Sequence, residues 1–333
     1  MKPIFLVFCF SLLTTPLFAQ LFGDLGSNRV ATSSFQFLKI GIGAREAAMA
    51  ETGVSVSADA NTLFWNPAHI AWLPTASTSF SYNRWYADIY QTALATVFQW
   101  EEIGSFGFSF NYLSTDPMER RTTFQPFGTG EKFNYYDLAA GVTYARQMTQ
   151  QFTFGLTGKL IREQLAEVSY TAYTLDLGMT YLMDDNRGTR LAIALMNFGG
   201  RYKPEGTVTP PDGDPVSRFQ DYQAPSNFRI GMSTMIYQDD IHQILGAAQL
   251  NHPNDGAENY AIGAEYGFMD LLFLRSGLKL NVEEQSIPSF GLGFRRELLS
   301  FDIRFDYAAT HISPLGLAHR LSLSMSLPQG DLR

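Results

Sequence analysis

Asp302, Arg304 and Asp306 stand at period two, so a strand would carry all three on one face. That face reads either as a charged lumen site, with a carboxylate pair available for acid–base work, or as a salt-bridged ladder lining a polar barrel interior. The structural reading is the stronger. Lys159, Glu265, Arg275, Lys279 and Arg295 are scattered on similar inward faces. His69, His242, His252, His311 and His319 show neither an HExxH arrangement nor metal-ligand spacing. A serine nucleophile with His and Asp assembles in space rather than in sequence, but no Gly-x-Ser-x-Gly element supports one. No catalytic residue is assigned, no metal site is expected, and no cofactor is implied.

Arg45 is singled out for a different reason. It lies between Gly43-Ala44 and Ala47-Ala48. Buried, it would need a carboxylate or lumen partner; on an exposed short helix it would need none.

The elements that must position these groups are strands. Leu321, Leu323, Met325 and Leu327 alternate with Ser322, Ser324 and Ser326; Phe106, Phe108, Phe110 and Tyr112 alternate with Ser105, Gly107, Ser109 and Asn111. A helix would leave such residues without an apolar stripe, whereas a strand gains one greasy and one polar face. The pattern predicts strands near 75–86, 88–100, 103–114, 134–147, 150–163, 168–183 and 188–198. It continues near 225–238, 241–251, 257–268, 271–281, 286–297, 298–309 and 316–327. Fourteen is the even number that a bacterial barrel requires. The two longest connections, about 115–133 and 199–224, both fall at odd positions, as long extracellular loops would if both barrel ends lie in the periplasm.

A closed barrel also pairs every backbone group inside a bilayer, where a soluble sandwich would hide its apolar faces between sheets. Trp85, Tyr86, Trp100, Tyr135 and Tyr136 suit interfacial girdles. The 199–224 connection, with Pro204, Pro210, Pro211 and Pro215, reads as an extended rim.

Composition agrees. Charged residues are 17% of the chain, below the roughly 25% of soluble domains, and aromatics reach 14%. The net charge of −8 is diffuse and argues against nucleic acid as a partner. Lys2, the apolar run Ile4 to Leu13 and Ala19 before Gln20 read as a secretory signal peptide. Cys9 lies inside it, leaving no cysteine for a disulfide or metal site in the exported chain. The expected organisation is 1–19 signal peptide, 20–74 plug or hatch, 75–327 barrel and 328–333 polar tail. In the pre-barrel part, Ala44 to Met49 favours a helix, Asp59 caps a second, and Trp65-Asn66-Pro67-Ala68 ends it in a turn.

Phe37, Leu38, Ile40, Gly41, Gly43, Ala44, Arg45, Ala48 and Met49, followed by Asp59, Trp65, Asn66, Pro67 and Ala68, resemble the N-terminal signature of the PorV/PorQ family. The Asn-Pro-Ala element is also similar to the hatch of FadL-type transporters. Where the family usually has Met-Gly-Gly, this chain has Met49-Ala50-Glu51, and the usual acidic pair is reduced to Asp59 beside Ala58. The resemblance implies a FadL-like outer-membrane barrel with a short helical plug inside or beneath it. It also implies a place in type IX secretion, with secretion components, secreted cargo proteins and outer-membrane lipid as partners. A FadL-like channel for hydrophobic small molecules is the second reading, and an outer-membrane acyl hydrolase the third.

Overall fold

The alternation resolves into strands. The computed structural model describes residues 32–56, 59–210, 213–298 and 301–327, so the signal peptide and the polar tail lie outside the described residues. In chain order the strands are β1 (Ser77–Arg84), β2 (Ile89–Trp100), β3 (Gly104–Thr115), β4 (Met118–Glu119), β5 (Lys132–Phe133) and β6 (Tyr135–Gln147). Next come β7 (Phe152–Leu165), β8 (Val168–Asp184), β9 (Thr189–Gly199), β10 (Arg201–Tyr202), β11 (Tyr222–Gln223) and β12 (Asn227–Gln238). The last six are β13 (His242–Pro253), β14 (Asn259–Phe268), β15 (Leu272–Leu280), β16 (Ser289–Leu298), β17 (Phe301–Ile312) and β18 (Gly316–Ser326).

Fourteen of them form one closed antiparallel barrel in sequence order, and β1 pairs with β18 to shut the seam. Each of the fourteen periodic segments is a barrel strand, with ends within three residues of expectation. The four two-residue strands decorate the long odd-numbered connections as the small pairs β4–β5 and β10–β11. The 199–224 rim is therefore partly ordered rather than wholly extended.

The two faces of the wall are inverted relative to a water-soluble protein. Phe80, Leu94, Phe108, Leu292 and Leu323 stand outward and exposed, while Ser79, Thr157, Asp176 and Ser324 are buried inside. Apolar-out and polar-in is the signature of a wall solvated by lipid. Aromatic pairs mark its two ends: Tyr82–Tyr90, Tyr112–Tyr136 and Tyr307–His319 stack towards the long loops, while Trp100–Phe106, edge to face, and His242–Tyr266, stacked, lie towards the short turns. Two of the expected girdle residues are not in the girdle. Tyr135 shares the inward parity of Asp137 and donates its hydroxyl to that carboxylate. Trp85 folds over the lumen, where Arg320 lies 5.0 Å from its ring centroid.

The pre-barrel segment lies inside the barrel. Ser33 pairs with Gln223 in the long-loop rim, and Phe35 packs on Tyr170 and Tyr202 there. At the other end Gln99 donates to the carbonyls of Ile70 and Leu73, and Thr75 donates to the carbonyl of Leu327. The segment thus runs down the lumen from the loop end to the turn end. An apolar cluster seals each level: Phe35, Phe37, Leu113 and Ile161 near the loops, Leu63, Ile70, Leu73 and Val97 near the turns. Helix α1 (Ala44–Ala48) and three 3₁₀ turns, Gln36–Lys39, Ala60–Phe64 and Pro67–Trp72, make up its regular structure. The expected turn at Trp65–Ala68 instead starts the last of these, because Asn66 caps it through the Ala68 N–H.

Candidate functional site

Small side chains on the inner wall let the plug approach. A Cβ added at Gly155 would sit 2.4 Å from the backbone carbon of Pro67, and one at Gly277 would sit 2.3 Å from that of Met49. Gly43, at φ +94, opens α1 in a conformation that L side chains rarely adopt. Ala44 follows it, its N–H donating to Ser322 Oγ at 2.8 Å, and Ala48 is fully buried. Phe37 is buried in the loop-end cluster, with Leu38 and Ile40 packed against it. Gly41 lies so near the Glu51 carboxylate that a Cβ there would meet Oε1 at 2.6 Å.

The remaining signature residues are structural ties. Asp59 accepts the Asn61 N–H at 2.8 Å, capping the 3₁₀ turn Ala60–Phe64, and also accepts Ser324 Oγ–H at 2.7 Å. Buried Trp65 donates Nε1–H to the carbonyl of Ile42 at 2.9 Å, and the Arg229 guanidinium lies 5.0 Å from its ring centroid. Asn66 spans the gap to the wall, donating to the carbonyl of Val54 at 3.0 Å and to Thr180 Oγ1 at 3.3 Å. Pro67 and Ala68 rest against Gly155. A buried amide so satisfied fixes position, since leaving it unpaired costs about 1–3 kcal/mol.

Arg45 is buried, with 6% exposure, and its partner is Glu265 on β14: Nε to Oε2 at 2.8 Å and Nη2 to Oε1 at 2.7 Å. Arg275 also donates to Glu265, and its Nη1 reaches Asp306 Oδ1 at 2.6 Å. Arg304 is drawn to the same place by Phe273, whose ring centroid lies 5.2 Å from the Arg304 guanidinium and 5.4 Å from that of Arg275. Five of the charges singled out in the sequence therefore converge: Arg45, Glu265, Arg275, Arg304 and Asp306.

The other four do not join them. Arg295 binds Asp302 at 2.9 Å and Asp270 at 2.5 Å on the turn rim. Lys159 pairs with Asp176 at 2.6 Å beside a β8–β9 register shift, where Asn197 adopts φ +56. Lys279 pairs with Glu51 at 2.6 Å nearer the loops. Asp302, Arg304 and Asp306 thus share a face but not a ladder: each finds its partner on another strand.

Several charges at this site were not singled out in the sequence. Asp176, Arg229 and Arg320 share the inward parity of their strands, which is the signal that marks them. Glu51 carried no periodic signal, because the plug has none.

The histidines are dispersed. Among the described residues, Nδ1 of His242, His252 and His319 contacts Tyr266, Glu258 and Tyr307 respectively, and no serine.

Solved structures share this architecture. The Pseudomonas putida toluene transporter TodX is 14% identical, aligns over 86% of this chain and 98% of its own, and gives a TM-score of 0.60. A Pseudomonas aeruginosa FadL homologue is 10% identical over 87% and 99%, with a TM-score of 0.56. The Ralstonia pickettii toluene transporter TbuX is 14% identical over 86% and 97%, at 0.52. Identities this low speak for the fold alone. No curated protein matches the sequence. The family described as "Type IX secretion system protein PorV" matches residues 24–252, which take in the whole described plug and the wall through most of β13. With its FadL-like fold and its plug signature, this chain belongs to the PorV family of outer-membrane β-barrels.

Proposed function

We propose that this barrel is a type IX secretion component that binds secreted proteins and passes them towards the cell surface, and that it is not an enzyme. The match to the PorV family over residues 24–252 carries this reading. The lumen supports it: the plug runs through it from end to end, and ion pairs rather than an apolar tunnel occupy its middle. On this reading the signal peptide is cleaved on export, lipid covers the apolar wall, and the long-loop rim of β4–β5 and β10–β11 meets cargo and secretion components.

The test is a deletion in the native host, with signal-bearing cargo quantified at the surface and in the periplasm. Periplasmic accumulation reversed by complementation is the expected result; unchanged export would sink the secretion role. Trimming residues 203–216 should also reduce recovery of partners in a pull-down.

A second reading, a conduit for hydrophobic small molecules, draws on the likeness to proteins described as toluene transporters. The deletion strain separates the two, since a conduit predicts slower hydrocarbon uptake with normal export.

A further inference from the structure

We propose that the lumen cavity at the short-turn end is a binding site for a small oxyanion, held by Arg45, Arg190 and Arg304. The cavity has a volume of about 470 Å³, and its charged lining is these three residues together with Arg187, Glu265, Asp270, Arg295, Glu297 and Asp302. That is room for a phosphate, or for a carboxylate or phosphate on a short organic body.

Three of its four acids are already committed, and the fourth, Glu297, is exposed. Glu265 accepts from Arg45 through both oxygens and from Arg275, while Asp270 and Asp302 are both held by Arg295. The cations are not. Arg45, nine-tenths buried, spends Nε and Nη2 on Glu265 and leaves Nη1 without a partner. Arg190 leaves Nε without a partner, and among the described residues neither Arg190 nor Arg304 has a carboxylate within 4.0 Å. In a chain of net charge −8, this chamber holds cations with unused donors.

The geometry is prepared for an anion. Arg190 stacks on Trp72 at 5.6 Å and Arg304 on Phe273 at 5.2 Å. A ring face fixes the guanidinium plane and leaves the in-plane N–H donors free, which is the fork that matches carboxylate and phosphate oxygens. Arg45 is locked by its bidentate pair, so its remaining N–H is also directional. The site goes beyond the secretion reading and does not depend on it.

The test uses the full barrel in detergent, titrated separately with inorganic phosphate and with butyl phosphate, and followed by calorimetry and tryptophan fluorescence. Trp72 lies under Arg190, so the fluorescence change should vanish in Trp72→Phe while the heat remains. Saturable binding is expected, weakened about tenfold or more in Arg190→Gln and in Arg304→Gln and unchanged in Arg146→Gln, an exposed arginine at the turn end of β6 that does not line the cavity. Lysine at 190 or 304 keeps the charge without the fork and should bind with intermediate affinity. Equal affinity for the two ligands identifies a free oxyanion; tighter butyl phosphate identifies the head of an amphiphile. Retained gel mobility of unboiled variants checks that they fold. Absence of saturable binding, full affinity in both Arg190→Gln and Arg304→Gln, or equal weakening in Arg146→Gln would each overturn the proposal.

Discussion

Ala50 and Glu51, the two positions that depart from the Met-Gly-Gly of the signature this segment resembles, occupy the left-handed region, at φ +56 and +66. A non-glycine residue there costs roughly 1–2 kcal/mol. Glu51 offsets its share by binding Lys279 at 2.6 Å, with Arg320 at 3.8 Å; Ala50 has no such return. Ala50→Gly should therefore stabilise the barrel by about 1 kcal/mol, after glycine's own entropy cost is subtracted. Glu51→Gly should destabilise it by about 1–3 kcal/mol, because Lys279 is left half-buried without its counter-ion. The temperature at which unboiled protein loses its folded gel mobility reads both, and a destabilising Ala50→Gly would contradict the strain argument. The two positions were legible only as a departure from the family pattern; their backbone conformation was not, since it is imposed by the wall around them.

At the scale of elements, the contact between plug and wall is tested by two glycines three residues apart on β7. Gly155 faces Pro67, whereas Gly158 faces outward with nothing within 4 Å of an added Cβ. Gly155→Ala should destabilise by about 1–3 kcal/mol by overpacking and expose the plug to protease. Gly158→Ala should leave both measurements unchanged. If the two behave alike, the plug does not rest on β7.

The loop-end anchor of the same segment is Asp255, which accepts from Ser33, from Gln36 at 3.1 Å and from Lys39 at 3.0 Å. Burial pushes this carboxyl up, but the three donors and the Lys39 charge outweigh it and hold it below its ordinary value. A depressed folded-state value stabilises above the unfolded value of about 3.9, and the contribution is lost as pH falls through the folded value. The protection factor of residues 33–39 against hydrogen exchange should thus be flat from neutrality to about pH 4 and fall below it; Asp255→Asn should lower it at neutrality. A protection factor already reduced at pH 6 would count against Asp255 as the anchor.

The wall was readable from sequence because lipid enforces the alternation on every strand. Tyr135 and Trp85 were misread where residue type was weighed without parity: Tyr135 lies two residues before inward Asp137. The plug's path was not readable. Its 3₁₀ turns have no period, and its partners are hundreds of residues away, as Arg45 is from Glu265. Residue type marked both members of that pair; only the closed barrel brings them together.

For the whole molecule, the parity of the connections predicts which end meets which compartment. The long odd connections share one rim and the short even turns the other, and in bacterial barrels the long loops are extracellular. An epitope inserted within 203–210 should be labelled on intact cells, and one within 185–187 only after the outer membrane is permeabilised. The reverse pattern would invert the orientation assigned here.

The plug adds one more pass to this count. Fourteen strands alone would leave both chain ends on the same side, but the pre-barrel segment descends the full height of the lumen before β1 begins. Fifteen traverses put Ser33 and Leu327 on opposite faces. The segment that enters from the outer rim binds strands from both halves of the chain, through Asn66 to β8 and Arg45 to β14. One segment therefore ties the two sides of the ring together across the lumen. The plug works as a spoke, holding opposite stretches of the rim at a set spacing.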